Sequence, residues 1–331
     1  MKAIFNTIAG DPHGIQIKET TQPQPEDNQV LVQVAAVALN VVDMTNFKNY
    51  YKTNSVKSQT KLLDKLYVHG EGKILGADFA GTVKKVGKNV RKFKIGDAVM
   101  GISDDYLNGS WAEYIAFSES NVVLKPERLS FEEAAAIPTT GGTALTAIEK
   151  ADIQSGQNIL INGATGGVGL YALQITKALG AKVTAVVSGR NAEFVRKYGA
   201  DKVVDYHQVD ITQDKNETTF DVIVAINGYH PLYRYKKMLD KQGNYVAIGG
   251  VKQAIAAMLL GKISTIGSQK QMGAISLFSA REDWLANLQN IINQSDFQPY
   301  LDRVFSWQDV DQAMAYGCTQ HLKGKVVMKI D

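Results

Sequence analysis

Seven residues, Gly163-Ala-Thr-Gly-Gly-Val-Gly169, hold four glycines between the apolar segments NILIN (158–162) and VGLYALQITKAL (168–179). Each glycine inside a regular element costs about 0.5–1 kcal/mol, so four together need a reason. A strand, a turn spaced Gly163-x-x-Gly166-x-x-Gly169 and a helix form a dinucleotide-binding unit. Gly163 makes the tight bend, Gly166 lets backbone approach a pyrophosphate, and Gly169 lets helix pack on strand. The helix N-terminus adds free N–H groups and a partial positive charge for phosphates. The next strand ends in Ser188-Gly189-Arg190-Asn191. An NAD-binding chain presents an Asp or Glu at such a tip, for the ribose 2′-hydroxyl. Here a hydroxyl and a guanidinium suit a 2′-phosphate, and no carboxylate is present to repel it. A plain surface turn with one solvated arginine is the competing reading.

These groups need elements to hold them. Residues 1 to about 125 carry short apolar runs punctuated by glycine and proline. QVLVQVAAVAL (29–39), FAGTVKKV (79–86) and DAVMGI (97–102) read as strands of a β-rich domain. From about residue 128 the period changes. Ser130 with Glu133 three residues on is a capping box that opens a helical stretch. Strands at 158–162, 182–187, 202–205, 220–226 and 244–248 then alternate with helices at 167–179, 191–198 and 231–240. This alternation predicts a parallel sheet covered on both faces. The tail reads as a helix (281–294), a strand (300–305), a helix (307–316) and a strand (325–330), and is expected to fold back onto the first domain.

The chain has 331 residues, 45% of them apolar, and 36 basic against 33 acidic residues give +3. Length allows two domains. The near-balanced charge argues against nucleic acid as the main partner. No run reaches the length of a membrane span, and the start, MKAIFNTIAGDPHGIQI, lacks a signal-peptide apolar region. With Cys318 as its one cysteine the chain has no intrachain disulfide, and a cytoplasmic globular protein is expected. Residues 48–73 hold six lysines around Tyr50, Tyr51 and Tyr67. They read as a solvated loop with a short helix, or as a lid over an active site.

Taken together, LNVVD (39–43), GADFAGTVKKVGKNVRKFKIGDAVMG (76–101), GSWAEYIAFSESNVVLKP (109–126), GATGGVG (163–169), YGADKVVDY (198–206) and KGKVVMKI (323–330) resemble the medium-chain dehydrogenase/reductases. The branch they resemble is the zinc-independent, zeta-crystallin-like quinone oxidoreductases. The resemblance implies an α/β fold with a GroES-like β-rich N-terminal domain (1–126, completed by 279–331) and a Rossmann doubly wound parallel sheet (127–278). It implies NADPH as cofactor, a small-molecule quinone or enone as substrate, and a homodimer.

Zinc-dependent members of the superfamily place Cys where Asn40 stands and His-Glu where Ala77-Asp78 stand. The five histidines, His13, His69, His207, His230 and His321, show no ligand spacing, so no metal is expected. Without that Lewis acid, the chemistry left is hydride delivery to an electron-poor carbon. Conjugation in a quinone or α,β-unsaturated carbonyl already supplies the electron sink. The protein then supplies positioning, donors for the developing enolate oxygen, and a proton.

By resemblance, Asn40 and Asp43 take the Asn-x-x-Asp positions. Asn40 would hold the substrate oxygen or the nicotinamide side, and Asp43 would bond loop backbone or act in catalysis. Relatives often carry Tyr or Lys just after this Asp, where Met44 and Thr45 stand here, so Tyr50 or Tyr51 is the nearest substitute acid. Thr143 matches a threonine near the nicotinamide, or bonds its own helix. Thr165, Gly166, Gly167 and Val168 take the pyrophosphate, and Ser188 and Arg190 the 2′-phosphate, Arg190 replacing a lysine that relatives carry where Asn191 stands. Tyr206 lies beside the adenosine phosphate, Asn227 by a ribose, Ile248, Gly249 and Gly250 near the nicotinamide, and Lys325 toward a cofactor phosphate.

Two rival functions stay open. One is a non-catalytic NADPH-binding protein, crystallin-like or RNA-binding. The other is an enoyl-thioester reductase, for which AIAAMLLGKI (254–263) would line a tunnel. The same segment also reads as a dimer helix.

Overall fold

The computed structural model describes residues 1–8, 12–45, 47, 72–105, 109–213, 218–275, 283–319 and 321–331. The lid reading of 48–73 falls almost wholly outside the described residues. Two compact units emerge. The first comprises 1–140, 285–290 and 298–331, and the second 141–284 and 291–297.

The N-terminal strands of the first unit are β1 (Lys2–Asn6), β2 (Ile15–Glu19), β3 (Gln29–Leu39), β4 (Lys73–Ile74), β5 (Asp78–Val86), β6 (Ala98–Ile102), β7 (Tyr114–Ser118) and β8 (Val122–Leu124). The longest is β3, rich in Val and Ala and buried along most of its length. It pairs antiparallel with both β5 and β7. Because β3 ends at Leu39 and β5 begins at Asp78, their pairing leaves Asn40 and Asp78 together at one sheet end.

Six strands form the sheet of the second unit: β9 (Asn158–Asn162), β10 (Lys182–Val187), β11 (Lys202–Asp205), β12 (Phe220–Ala225), β13 (Leu239–Ala247) and β14 (Gln271–Ala274). Every pairing is parallel. The order β11-β10-β9-β12-β13-β14 is doubly wound, and the direction of winding reverses between β9 and β12. Ligands of such sheets bind beyond the carboxyl ends of the strands at that reversal. Strand β13 starts five residues earlier than its expected 244, since Leu239 pairs with Phe220 ahead of an irregularity in register. The sequence reading missed β14. Its four residues, QMGA, are too short to show a period, and pairing with β13 holds them extended.

In the tail, helix Trp284–Asn293 precedes β15 (Leu301–Ser306), helix Val310–Thr319 and β16 (Lys325–Lys329). Strand β16 runs antiparallel to β3, pairing Val326 with Leu39 and Lys329 with Ala36. The tail thus completes a sheet in the order β15-β16-β3-β5-β6-β8, with β7 also on β3. Phe79, Trp111, Met314 and Val326 share its core. Residues 127–140 go with this unit too. Ser130 and Glu133 form the expected capping box on helix Phe131–Ala135. No helix of the described residues is long and apolar enough to cross a membrane.

Candidate functional site

At the end of β9, Gly163 has φ +94°, and a β-carbon there would stand 2.9 Å from the β-carbon of Asn227. Asn227 follows β12, so the two meet where the winding reverses. The Asn162 carbonyl accepts the N–H groups of Ile226 (3.0 Å) and Asn227 (3.2 Å), and the Asn162 amide donates to the Tyr235 hydroxyl at 2.9 Å. Burial pushes the Tyr235 phenol up to about 12, so it stays a neutral partner at ordinary pH.

A β-carbon on Gly169 would lie 2.0 Å from the Gly163 carbonyl oxygen, whereas one on Gly166 would meet nothing within 4 Å. The helix–strand contact is therefore closed and the rim open. Thr165, Gly166, Gly167 and Val168 are half-buried on that rim. Gly166 is the N-cap of helix Gly167–Ala178 and supplies no side-chain cap. The first N–H groups of an α-helix lack intrahelical partners, and here they lie beside the open rim at Gly166.

Beyond β10, Ser188 opens a short 3-10 turn, Gly189–Asn191. Arg190 is exposed and Asn191 buried. A β-carbon at Gly189 would come 2.3 Å from Asp205 Oδ2. This corrects the sequence reading. A carboxylate does reach the tip, from the adjacent strand β11, where Asp205 pairs with Val187. The other Asp205 oxygen accepts the His207 N–H at 3.0 Å. Tyr206 is 55% exposed, with its ring 4.4 Å from that of His207.

On the far side, Ile248 N–H donates to the Ala225 carbonyl at 2.8 Å. Gly249 approaches the Ile226 carbonyl, which a β-carbon would meet at 2.2 Å. Gly250 (φ +71°) then caps helix Val251–Ser264. Thr143 is half-buried on helix Pro138–Ala151.

The first unit holds a buried polar cluster. Asn40 Nδ2 donates to Asp78 Oδ2 at 3.0 Å. The second Asp78 oxygen accepts Thr139 N–H at 3.0 Å and Thr139 Oγ1 at 2.6 Å. Asn40 Oδ1 accepts the Lys325 ammonium and, at 3.4 Å, the Thr140 hydroxyl. Lys325 Nζ donates also to the Leu39 carbonyl at 2.7 Å. Asp43 Oδ2 accepts the Asn40 backbone N–H at 2.7 Å, across the first turn of helix Val41–Thr45. Burial pushes the Asp78 carboxyl above the usual carboxylate range, against the pull of Lys325 and its hydrogen bonds. Burial likewise pushes Lys325 below the usual lysine range, against Asp78 and Asp43.

The structure thus brings Asn40 and Asp43 together. It adds Asp78, Thr139 and Thr140, which the sequence reading did not name as site residues. The visible signals were a pair of threonines at a helix start and, for Asp78, its place where zinc-dependent relatives carry a Glu. Lys325 departs from the reading that sent it to a cofactor phosphate. It is 5% exposed and its ammonium is held inside the first unit. Tyr50 and Tyr51 lie outside the described residues. Among the described residues no group of His, Cys, Asp and Glu has the arrangement of a metal site.

Comparison with known proteins agrees with this anatomy. Residues 26–127 match the alcohol dehydrogenase GroES-like domain, and residues 198–328 match a family described as zinc-binding dehydrogenase. The chain is 28% identical to a chloroplast envelope quinone oxidoreductase homolog of Arabidopsis thaliana, over 98% of this chain and 97% of that one. It is 30% identical to the chloroplastic NADPH-dependent alkenal/one oxidoreductase of the same plant, over 92% of this chain and 73% of the relative. The quinone oxidoreductase structure from Coxiella burnetii superposes with a TM-score of 0.79 at 27% identity, covering 100% of this chain and 99% of that one.

Proposed function

The chain belongs to the medium-chain dehydrogenase/reductases, in the zinc-independent quinone oxidoreductase branch, and on that premise we propose that it reduces quinones or α,β-unsaturated carbonyls with NADPH. The observation that carries the reading is the glycine turn at the point where the sheet reverses, with its closed Gly169 and open Gly166. The zinc in the name of one matched family does not carry over to these side chains. Asn40 and Asp78 are engaged with each other and with Thr139, Thr140 and Lys325.

Bound nicotinamide supplies the hydride. The backbone N–H groups of Thr165 to Val168 hold the pyrophosphate, and Ser188 and Arg190 the 2′-phosphate. Tyr206, Asn227 and the 248–250 turn orient the adenosine, ribose and nicotinamide ends. Asn40 offers a fixed N–H to the oxygen on which negative charge develops. Asp43 holds the Asn40 backbone, Thr143 serves the nicotinamide side, and Tyr50 or Tyr51, both outside the described residues, is the candidate proton donor.

A second copy is the further partner. Met258, Leu259, Leu260 and Ile263 are exposed on helix Val251–Ser264, and β14 beside it is a sheet edge. Exposed apolar side chains next to a strand that ends the sheet among the described residues suit a symmetric contact.

Consumption of NADPH with a panel of quinones and 2-alkenals tests the function. Turnover with at least one of these classes is expected. No turnover with any of them, alongside salt-dependent retention of RNA, would replace the reading with a nucleic-acid one.

A further inference from the structure

We infer that Lys325 is a positioning residue for Asn40, one that fixes which way the Asn40 amide faces, and that it makes no contact with cofactor. The inference rests on the proposed reductase activity, in which Asn40 meets the substrate oxygen. An asparagine side chain has an acceptor end and a donor end that differ little in shape. Which end points where is decided by the groups around it. Around Asn40 the two nearest groups are charged and of opposite sign, and the Thr140 hydroxyl adds a longer bond to the oxygen at 3.4 Å. The oxygen faces the Lys325 ammonium and the nitrogen faces the Asp78 carboxylate. Turning the amide over would set its NH2 against an ammonium and its oxygen against a carboxylate.

The two charged partners are themselves held. Asp78 is tied to the N-terminal turn of helix Pro138–Ala151 by both Thr139 bonds. Lys325 is tied to the end of β3 by the Leu39 carbonyl, and its own N–H donates to Tyr300 at 2.9 Å. Strand register places it there, since the next residue, Val326, pairs with Leu39. One Asn40 N–H is taken by Asp78, and among the described residues no acceptor takes the other. That second N–H has a direction set by the first. Donation from the ammonium into Oδ1 also polarises the amide, which strengthens the remaining N–H as a donor. Lys325 therefore serves the reaction without touching it.

The test uses Lys325→Gln, which keeps a donor without the charge, and Lys325→Met, which keeps neither. Dissociation constants for NADPH come from fluorescence titration, and kcat and KM from turnover of the best quinone or enone. Folding is checked by circular dichroism. A positioning role predicts NADPH dissociation constants within about twofold of wild type. It predicts kcat about tenfold lower or more in Lys325→Met, with a smaller loss in Lys325→Gln. In an Asn40→Ala background, Lys325→Gln should lower kcat no further. If Lys325→Met does not fold, Lys325→Gln and the Asn40→Ala pair decide. Weakened NADPH binding with kcat intact would overturn the inference and return Lys325 to a phosphate. So would additive losses in the double variant. Wild-type protein that binds NADPH but turns over no quinone or enone would instead remove the reductase reading, and this inference with it.

Discussion

Asp205 and Gly189 are packed so closely that a β-carbon on residue 189 would stand 2.3 Å from the Asp205 carboxylate. A larger residue at 189 would have to push the Asp205 side chain aside, and that carboxylate stands beside the turn proposed to read the 2′-phosphate. The selectivity of that turn becomes a contest between Arg190 and Asp205.

Arg190→Ala should weaken NADPH about tenfold or more and leave NADH almost unchanged, since a hydrogen bond to a charged group contributes about 1.5–3 kcal/mol. Asp205→Asn should tighten NADPH and leave NADH unchanged. Fluorescence titration of both nucleotides is the measurement. Wild type binding the two equally, or Arg190→Ala losing both together, would remove the 2′-phosphate role of Arg190.

Two glycine substitutions in one turn should separate folding from binding. At Gly169 an added β-carbon meets backbone at 2.0 Å, so Gly169→Ala should lower Tm and weaken cofactor binding. At Gly166 it meets nothing, so Gly166→Ala should leave Tm within about 2 °C and still weaken NADPH, because the methyl fills the space proposed for pyrophosphate. Unchanged NADPH affinity in a folded Gly166→Ala would place the phosphates elsewhere.

Asp201 gives a pH signature in the second unit. Partial burial pushes its carboxyl up, but Lys177 Nζ at 2.8 Å and the Val183 N–H at 2.7 Å outweigh this and hold it below the usual carboxylate range. A depressed carboxyl contributes stability above its unfolded pKa, and that contribution is lost as pH falls through the folded one. Asp201→Asn should therefore melt below wild type at neutral pH, with a gap that narrows as pH falls below the usual carboxylate range. A Tm gap constant across that range would refute the assignment.

Metal analysis of chelator-free protein should find far less than one zinc per chain, and chelation should leave activity intact. The reason is the residue set at 40, 77 and 78 and the bonds that already engage it. About one zinc per chain, lost together with activity, would contradict this.

Leu259→Glu should shift the protein from dimer to monomer in analytical ultracentrifugation, because it places charge on the exposed face of helix Val251–Ser264. A wild type that sediments as a monomer would remove the dimer proposal.

What the sequence made legible was local. The capping box of Ser130 and Glu133, the strand of 29–39 and the turn of 163–169 each lie within a few consecutive residues, where spacing alone carries the physics. The tail was placed by its period and its resemblance. What stayed hidden was pairwise and distant. Asp205 reads as an ordinary strand-end acid until strand pairing sets it beside Gly189. Lys325 reads as a basic residue near a glycine, and nothing in its neighbourhood names Asn40. The short β14 has no period of its own. The 140/141 division was obscured because helix Pro138–Ala151 runs through it, with Thr139 committed to Asp78 on one side.

The pairing of β16 with β3 also orders events during synthesis. Lys325 is made 285 residues after the asparagine it holds, and at about 5–20 residues per second the nascent chain waits many seconds for it. The strands of the second unit are all made within that interval and find their neighbours among residues already present. The sheet of the first unit keeps an open flank on β3 until the tail emerges. Asn40 and Asp78 meanwhile lack their cation. On the ribosome, the part of the chain made first is the part finished last.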